Sequence, residues 1–170
     1  MPDTASRALD TFPRLLFYHA QVRGQKVAMR EKDLGIWQSW TWADVAEHVS
    51  AIACGLAEMG FKRGDNLAII GDNRPRLYMM MTAVQCLGGV PVPLYQDAVG
   101  AEMLFVLQDA GVRFALAEDQ EQVDKLLEIQ DQVPSLEHIV YDDPRGMRHY
   151  TQPFIHDIEE LMAMGRIHNQ

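Results

Sequence analysis

From Asn66 to Tyr141 the chain alternates short apolar runs with longer stretches of helical period, and no other feature limits its fold so strongly. Extended runs at Asn66–Ile70, Val90–Leu94, Val112–Ala117 and His138–Tyr141 are separated by helical segments at Pro75–Leu87, Ala101–Ala110 and Gln120–Gln130. Strand starts about 23 residues apart, with a helix in each gap, are the mark of a parallel sheet with right-handed crossovers. The predicted fold class is therefore α/β, a mostly parallel sheet with flanking helices, preceded by a helix and a β-hairpin. At 170 residues there is room for one such unit and not for two.

The segments before the alternation have local signals of their own. Thr11 is placed to cap a helix over Phe12–Val22, with Pro13 in its first turn, where the missing N–H goes unneeded. The runs Lys26–Glu31 and Ile36–Trp40 flank a loop in which Gly35 can supply the positive φ of a short connection with a bulge. Thr41 and Asp44 have capping-box spacing, and Val45, Val49, Ile52, Leu56 and Met59 recur on one face of the helix that follows, closed by Gly60.

Two features qualify the sheet and its cover. Pro91 and Pro93 cannot donate to a ladder, so the extended run Val90–Leu94 is expected to be irregular, short or partly at an edge. Leu77, Met79, Met80, Met81, Val84 and Leu87 make Pro75–Leu87 apolar nearly all round, which predicts burial on more than one side and a second layer from outside the chain. The Met79–Met81 run reads as core filling. The tail reads as a turn cluster at Asp142–Gly146 and an amphipathic helix over Asp157–Met164, stopped by Gly165. The expected organisation is one incomplete domain: a flexible start at 1–10, helix plus hairpin at 11–40, the alternating subdomain at 41–165 and a tail at 166–170.

Composition removes several function classes. With 24 acids against 15 bases the formal charge is −9, which repels a phosphate backbone and an anionic membrane, although a local positive patch is compatible with that total. Cys54 and Cys86 are expected as buried free thiols. The polar start lacks the pattern of a signal peptide and no apolar run reaches the ~20 residues of a membrane span, so the expectation is a cytoplasmic protein.

Ligands of open α/β sheets bind at the carboxyl ends of the strands. Those ends read Gly71-Asp72-Asn73-Arg74-Pro75, Tyr95-Gln96-Asp97, Glu118-Asp119 and Asp142-Asp143. A carboxylate at each suggests a metal or acid–base site; helix capping explains each separately and is the preferred reading. Gly71–Pro75 lacks both the three glycines of a dinucleotide loop and the lysine of a P-loop. The fourth strand ends in acids without a following strand that ends in lysine, which argues against a receiver-type phosphorylation domain. Histidines at 19, 48, 138, 149, 156 and 168 have no zinc-helix spacing, and no serine sits in a Gly-x-Ser-x-Gly elbow. The residues alone describe a scaffold.

Several segments nevertheless match one family in order and spacing: Thr41-Trp42-Ala43-Asp44-Val45, Gly60-Phe61-Lys62-Arg63-Gly64-Asp65, Ile69-Ile70-Gly71-Asp72-Asn73-Arg74-Pro75, Gly88-Gly89-Val90-Pro91-Val92-Pro93-Leu94-Tyr95 and Glu118 to Lys125. From Thr11 to Gly165 the chain resembles the start of the adenylate-forming (AMP-binding) acyl-CoA synthetases, and Tyr141–Gly146 is similar to their long-chain fatty acid–CoA ligase branch. The resemblance implies a partial subdomain of the amino-terminal domain of an enzyme that uses ATP, Mg²⁺ and CoA to convert a fatty acid to acyl-adenylate and then acyl-CoA. The family's phosphate loop, a Ser/Thr/Gly-rich run ending in Pro-Lys-Gly, matches no segment here, so no catalytic, cofactor-binding or metal-binding role transfers to a residue of this chain. The implied partners are the remainder of its own polypeptide and, through the intact enzyme, fatty acid, ATP and CoA; no nucleic acid and no cofactor bound to this part are expected. Self-association through exposed apolar surface is a further expectation. The alternatives are a stand-alone α/β binding or regulatory module and an adenylate-forming ligase for aryl, amino-acid or medium-chain acids.

Overall fold

In the computed structural model, which describes residues 9–168, the alternation from Asn66 onward becomes a sheet of five strands in the order β4-β3-β5-β6-β7. The strands are β3 (Asn66–Ile70), β4 (Val90–Leu94), β5 (Phe114–Ala117), β6 (His138–Tyr141) and β7 (Ile155–Asp157), every neighbouring pair parallel. Before them come α1 (Phe12–Arg23), a hairpin of β1 (Val27–Asp33) and β2 (Ile36–Thr41), and α2 (Trp42–Glu58). Helices α3 (Pro75–Cys86), α4 (Gly100–Asp109) and α5 (Gln120–Ile129) connect the strands, and α6 (Ile158–His168) follows β7.

Strand alternation divides the core into two halves. Leu67, Ile69, Phe114, Leu116 and Val140 face one side and pack with α2, α3 and α6, while Ala68, Ile70, Ala115, Ala117 and Ile139 face α4 and α5 on the other. These strand residues are essentially inaccessible to water, as a parallel sheet covered on both faces requires. The proline-containing run is the edge strand β4. Val90 donates its N–H to the Asp65 carbonyl at 3.0 Å, and the two-residue parity of a strand then aims the backbone nitrogens of Pro91 and Pro93 at the open side.

The local helix signals hold. Thr11 Oγ1 accepts from Arg14 N–H at 3.4 Å. At α2 the capping box is complete: Asp44 N–H donates to Thr41 Oγ1 at 3.2 Å and Thr41 N–H to Asp44 Oδ2 at 2.8 Å. Gly60 takes φ +88° just past that helix.

Four expectations are corrected. The hairpin connection is a tight turn of Leu34 and Gly35, both at positive φ (45° and 84°), and the register irregularity lies at the other end, between Val27 and Met29. The second layer over α3 comes from the chain itself: α2, α1 and β1 pack around it, Met79, Met80, Ala83 and Val84 are fully buried, and Tyr78 is exposed. The last helix begins at Ile158 and continues through Gly165 to His168, because Gly165 is where α6 meets α2 and not where it stops. Cys54 and Cys86 are free but only half-buried; burial, with Cys54 nearby, pushes the Cys86 thiol up to about 11. The expected flexible start falls, for residues 1–8, outside the described residues. No helix among the described residues is long and apolar enough to cross a membrane.

Candidate functional site

The chain changes direction at β3: its next strand lies on one side and β5 on the other, so α3 leaves over one face and α4 and α5 over the opposite face. Where connections diverge in this way, the carboxyl ends of the strands leave a crevice, the usual ligand position in open α/β sheets.

Between β3 and β5 that crevice is filled by the chain's own Glu118. Its carboxylate accepts the Asp72 N–H at 2.5 Å and the Arg74 guanidinium, and its side chain is nearly buried. Gly71 is required by this approach, since a Cβ there would lie 2.5 Å from Glu118 Cβ. Backbone N–H and guanidinium groups that would greet a phosphate in a nucleotide loop are thus engaged by a carboxylate of the fold itself. This is the physical reason that Gly71–Pro75, though placed between strand and helix, is not built as a phosphate cradle.

Beside Glu118 the ends of β5, β6 and β7 and the tip of the hairpin enclose a cleft of about 420 Å³. Carboxylates do converge here, contrary to the capping reading, which holds for Asp119 as acceptor of the Gln122 N–H at 3.2 Å. Asp142 faces Arg76, with Nε 3.5 Å from Oδ1, and Arg76 also binds Glu159. Burial pushes the Asp142 carboxyl up to about 6, with Glu31, Asp143 and Glu118 adding to the rise and Arg76 opposing it. Asp143 is held below the usual carboxylate range by its hydrogen bonds from Arg145, whose Nε lies 2.6 Å from Oδ2. Glu118, Asp142, Asp143 and Glu159 pair with Arg74, Arg76 and Arg145, so most carboxylates at the cleft are engaged in ion pairs within the fold. Among the described residues no group of three or more His, Cys, Asp or Glu side chains has the arrangement of a metal site.

A second cleft, about 440 Å³, opens between the ends of β3 and β4. Tyr78, Met81 and Leu94 form its apolar wall, Asp72, Asn73 and Asp97 its rim. Tyr78 donates its hydroxyl to Asn73 Oδ1 at 3.0 Å, and Lys125 Nζ holds the β4 loop through the Gln96 carbonyl at 2.7 Å. The described lining contains no lysine, arginine or histidine, so it offers phosphate no countercharge.

At the opposite end of the sheet Arg113 bridges the starts of β3 and β6, binding Asp65 and Glu137, the latter with Nη2 2.5 Å from Oε2. Two histidines that looked scattered in the sequence meet nearby: His138 Nδ1 lies 3.1 Å from His156 Nε2 across β6 and β7, and burial pushes both rings below their ordinary pKa. Their separation of 18 positions has no local signature, and β7 itself was not foreseen.

Comparison with known proteins gives the same architecture a context. The family model described as AMP-binding enzyme matches residues 16–159. The long-chain-fatty-acid–CoA ligase FadD15 of Mycobacterium bovis is 26% identical over 131 residues, which is 77% of this chain and 22% of that protein. The chain therefore spans about a fifth of that relative's length. An uncharacterized Mycobacterium tuberculosis protein, Rv1549, is 32% identical over 106 residues, covering 62% of this chain and 58% of the relative. Among solved structures, the anthranilate CoA ligase AuaEII in complex with anthranoyl-AMP superposes with a TM-score of 0.78 over 89% of this chain and 27% of its own, at 18% identity, a likeness of fold.

Proposed function

The chain belongs to the AMP-binding enzyme family, and from that premise we propose that it is the amino-terminal scaffold of an ATP-dependent long-chain fatty acid–CoA ligase. The observation that carries this reading is the family match across residues 16–159, joined to a switch point closed by Glu118. The name of the FadD15 relative supports the long-chain assignment. In such an enzyme ATP and the fatty acid carboxylate form acyl-adenylate and pyrophosphate, and the CoA thiol then displaces AMP.

The residues present do not fit the phosphates of ATP, and among the described residues no group of three or more His, Cys, Asp or Glu side chains is arranged to hold a magnesium ion. The Asp72 N–H and the Arg74 guanidinium are committed to Glu118, and the cleft beside β4 has an acidic rim. ATP, Mg²⁺ and CoA are thus assigned to the remainder of the polypeptide, and this chain to one incomplete domain that supports it. The purified chain, given ATP, Mg²⁺, pyrophosphate and palmitate, is expected to show no ATP–pyrophosphate exchange above a heat-denatured control. Exchange that depends on the fatty acid would contradict the assignment.

One observation favours a second reading, a stand-alone α/β module: the match covers over half of Rv1549, 58%, against 22% of FadD15. That reading puts the function of the chain in a partner instead of in its own missing chemistry.

A further inference from the structure

Strand β7 is three residues long and, among the described residues, joins the sheet through β6 alone. At that junction two imidazoles face each other. His156 stands opposite Val140, so His138, two positions earlier on β6, lies on the same face of the sheet. The ring of His138 rests against Phe114, with centroids 4.9 Å apart, and Phe114 is fully buried and fixes it from behind. Both histidines are half-buried, so the pair is held by the fold and still reached by solvent.

His138 Nδ1 and His156 Nε2 are 3.1 Å apart, on rings whose centroids are separated by 5.2 Å. In this arrangement one ring donates to the other. A tautomer change moves that proton to the opposite ring nitrogen and leaves two facing lone pairs without a change in charge. With metal–nitrogen bonds of about 2.0–2.1 Å, two nitrogens at this spacing subtend about 95–102° at a shared ion, between the square and the tetrahedral angle. A small tilt of the rings completes the geometry. Carboxylates act on both rings: Glu137 on His138, and Glu160, near the start of α6, on His156. Of the cations nearby, Arg113 is bound by Asp65 and Glu137, and Lys62 acts on Glu137.

We propose that His138 and His156 together bind one borderline divalent transition-metal ion, of the class of Zn²⁺, and that the ion clips β7 to β6. Imidazole nitrogens select such ions over Mg²⁺ and Ca²⁺, which take oxygen ligands. No third His, Cys, Asp or Glu is grouped with the pair among the described residues, so water fills the other coordination positions. The ion closes a loop of 18 positions between the two strands. It is held by the paired strands and not by the separated residues, so it stabilises the folded chain. The site is independent of the ligase reading.

The test is calorimetric titration of the purified chain with Zn²⁺ and, in parallel, with Mg²⁺, with thermal unfolding as a second readout. Zn²⁺ is expected to bind and to raise the melting temperature, and Mg²⁺ to do neither. His138→Gln and His156→Gln each weaken Zn²⁺ binding about tenfold or more and remove the thermal shift. His149→Gln, at a histidine outside the pair, leaves both unchanged. Unfolding without metal shows whether the variants fold. If either does not, the ¹⁵N imidazole resonances of the wild-type chain decide: Zn²⁺ moves those of His138 and His156 and leaves the other four histidines in place. Absence of saturable Zn²⁺ binding, equal binding in wild type and in folded variants of the pair, or resonance shifts confined to the other histidines would overturn the proposal.

Discussion

Gly165→Val is expected to destabilise the chain by about 3 kcal/mol or more and to detach its last helix. A Cβ at Gly165 would lie 2.6 Å from the Gly55 backbone nitrogen and closer still to the Ala51 carbonyl oxygen. At Gly55 a Cβ would meet Leu161 Cδ1 at 2.8 Å and the Leu161 carbonyl oxygen at shorter range. Helices α2 and α6 thus touch backbone to backbone across two glycines, and such a clash cannot be relieved by turning a side chain. The helices must separate. Separation exposes Ile158, Leu161 and Met162, each now at most 1% accessible, and burial of one such side chain contributes roughly 1.5–3 kcal/mol. Ala163→Val, on the exposed side of the same helix, is the control and is expected to cost well under about 1 kcal/mol. Urea unfolding of the two variants measures the difference; equal midpoints would contradict the close crossing.

The second large effect depends on pH. Burial raises the Asp142 carboxyl from an ordinary 3.8 to about 6, so between those values the folded chain holds a proton that the unfolded chain releases. Stability contributed by this group is therefore lost as pH rises from about 4 to about 6, and above that the charged carboxylate remains a burden of up to about 3 kcal/mol. Asp142→Asn mimics the neutral acid. It should leave stability unchanged near pH 4 and raise it above pH 6, where Arg76, relieved of Asp142, keeps Glu159. Urea titrations at the two pH values test this. A variant less stable than wild type above pH 6 would mean that the pair with Arg76 outweighs the burial of Asp142.

Features decided by neighbouring residues could be read from the sequence. The capping box of Thr41 and Asp44 is local, and so is the helical spacing of Val45, Val49, Ile52 and Leu56. Pro91 and Pro93 narrowed their run to an irregular, short or edge strand, because a missing N–H has the same consequence in any sheet, and the edge is where it lies. Features decided by distant residues could not. Ile155–Asp157 is three residues long and becomes a strand because β6 pairs with it. Gly165 looked like a helix terminator, which is its usual local meaning; only the proximity of Ala51 and Gly55 makes it a contact residue. The carboxylates at the strand ends each read as caps, and their convergence on Arg74, Arg76 and Arg145 depends on strand order and register. Glu118 as an internal occupant of the switch point was invisible for the same reason: it lies 46 positions from Asp72 in sequence.

We propose that this chain supplies scaffold to an adenylate-forming ligase whose phosphate chemistry lies elsewhere in the polypeptide. The most direct test is to read the encoding DNA past the codon for Gln170. The expected result is an open frame that soon encodes a Ser/Thr/Gly-rich loop ending in Pro-Lys-Gly. A stop codon immediately after Gln170 would contradict it and leave the stand-alone module as the reading to pursue.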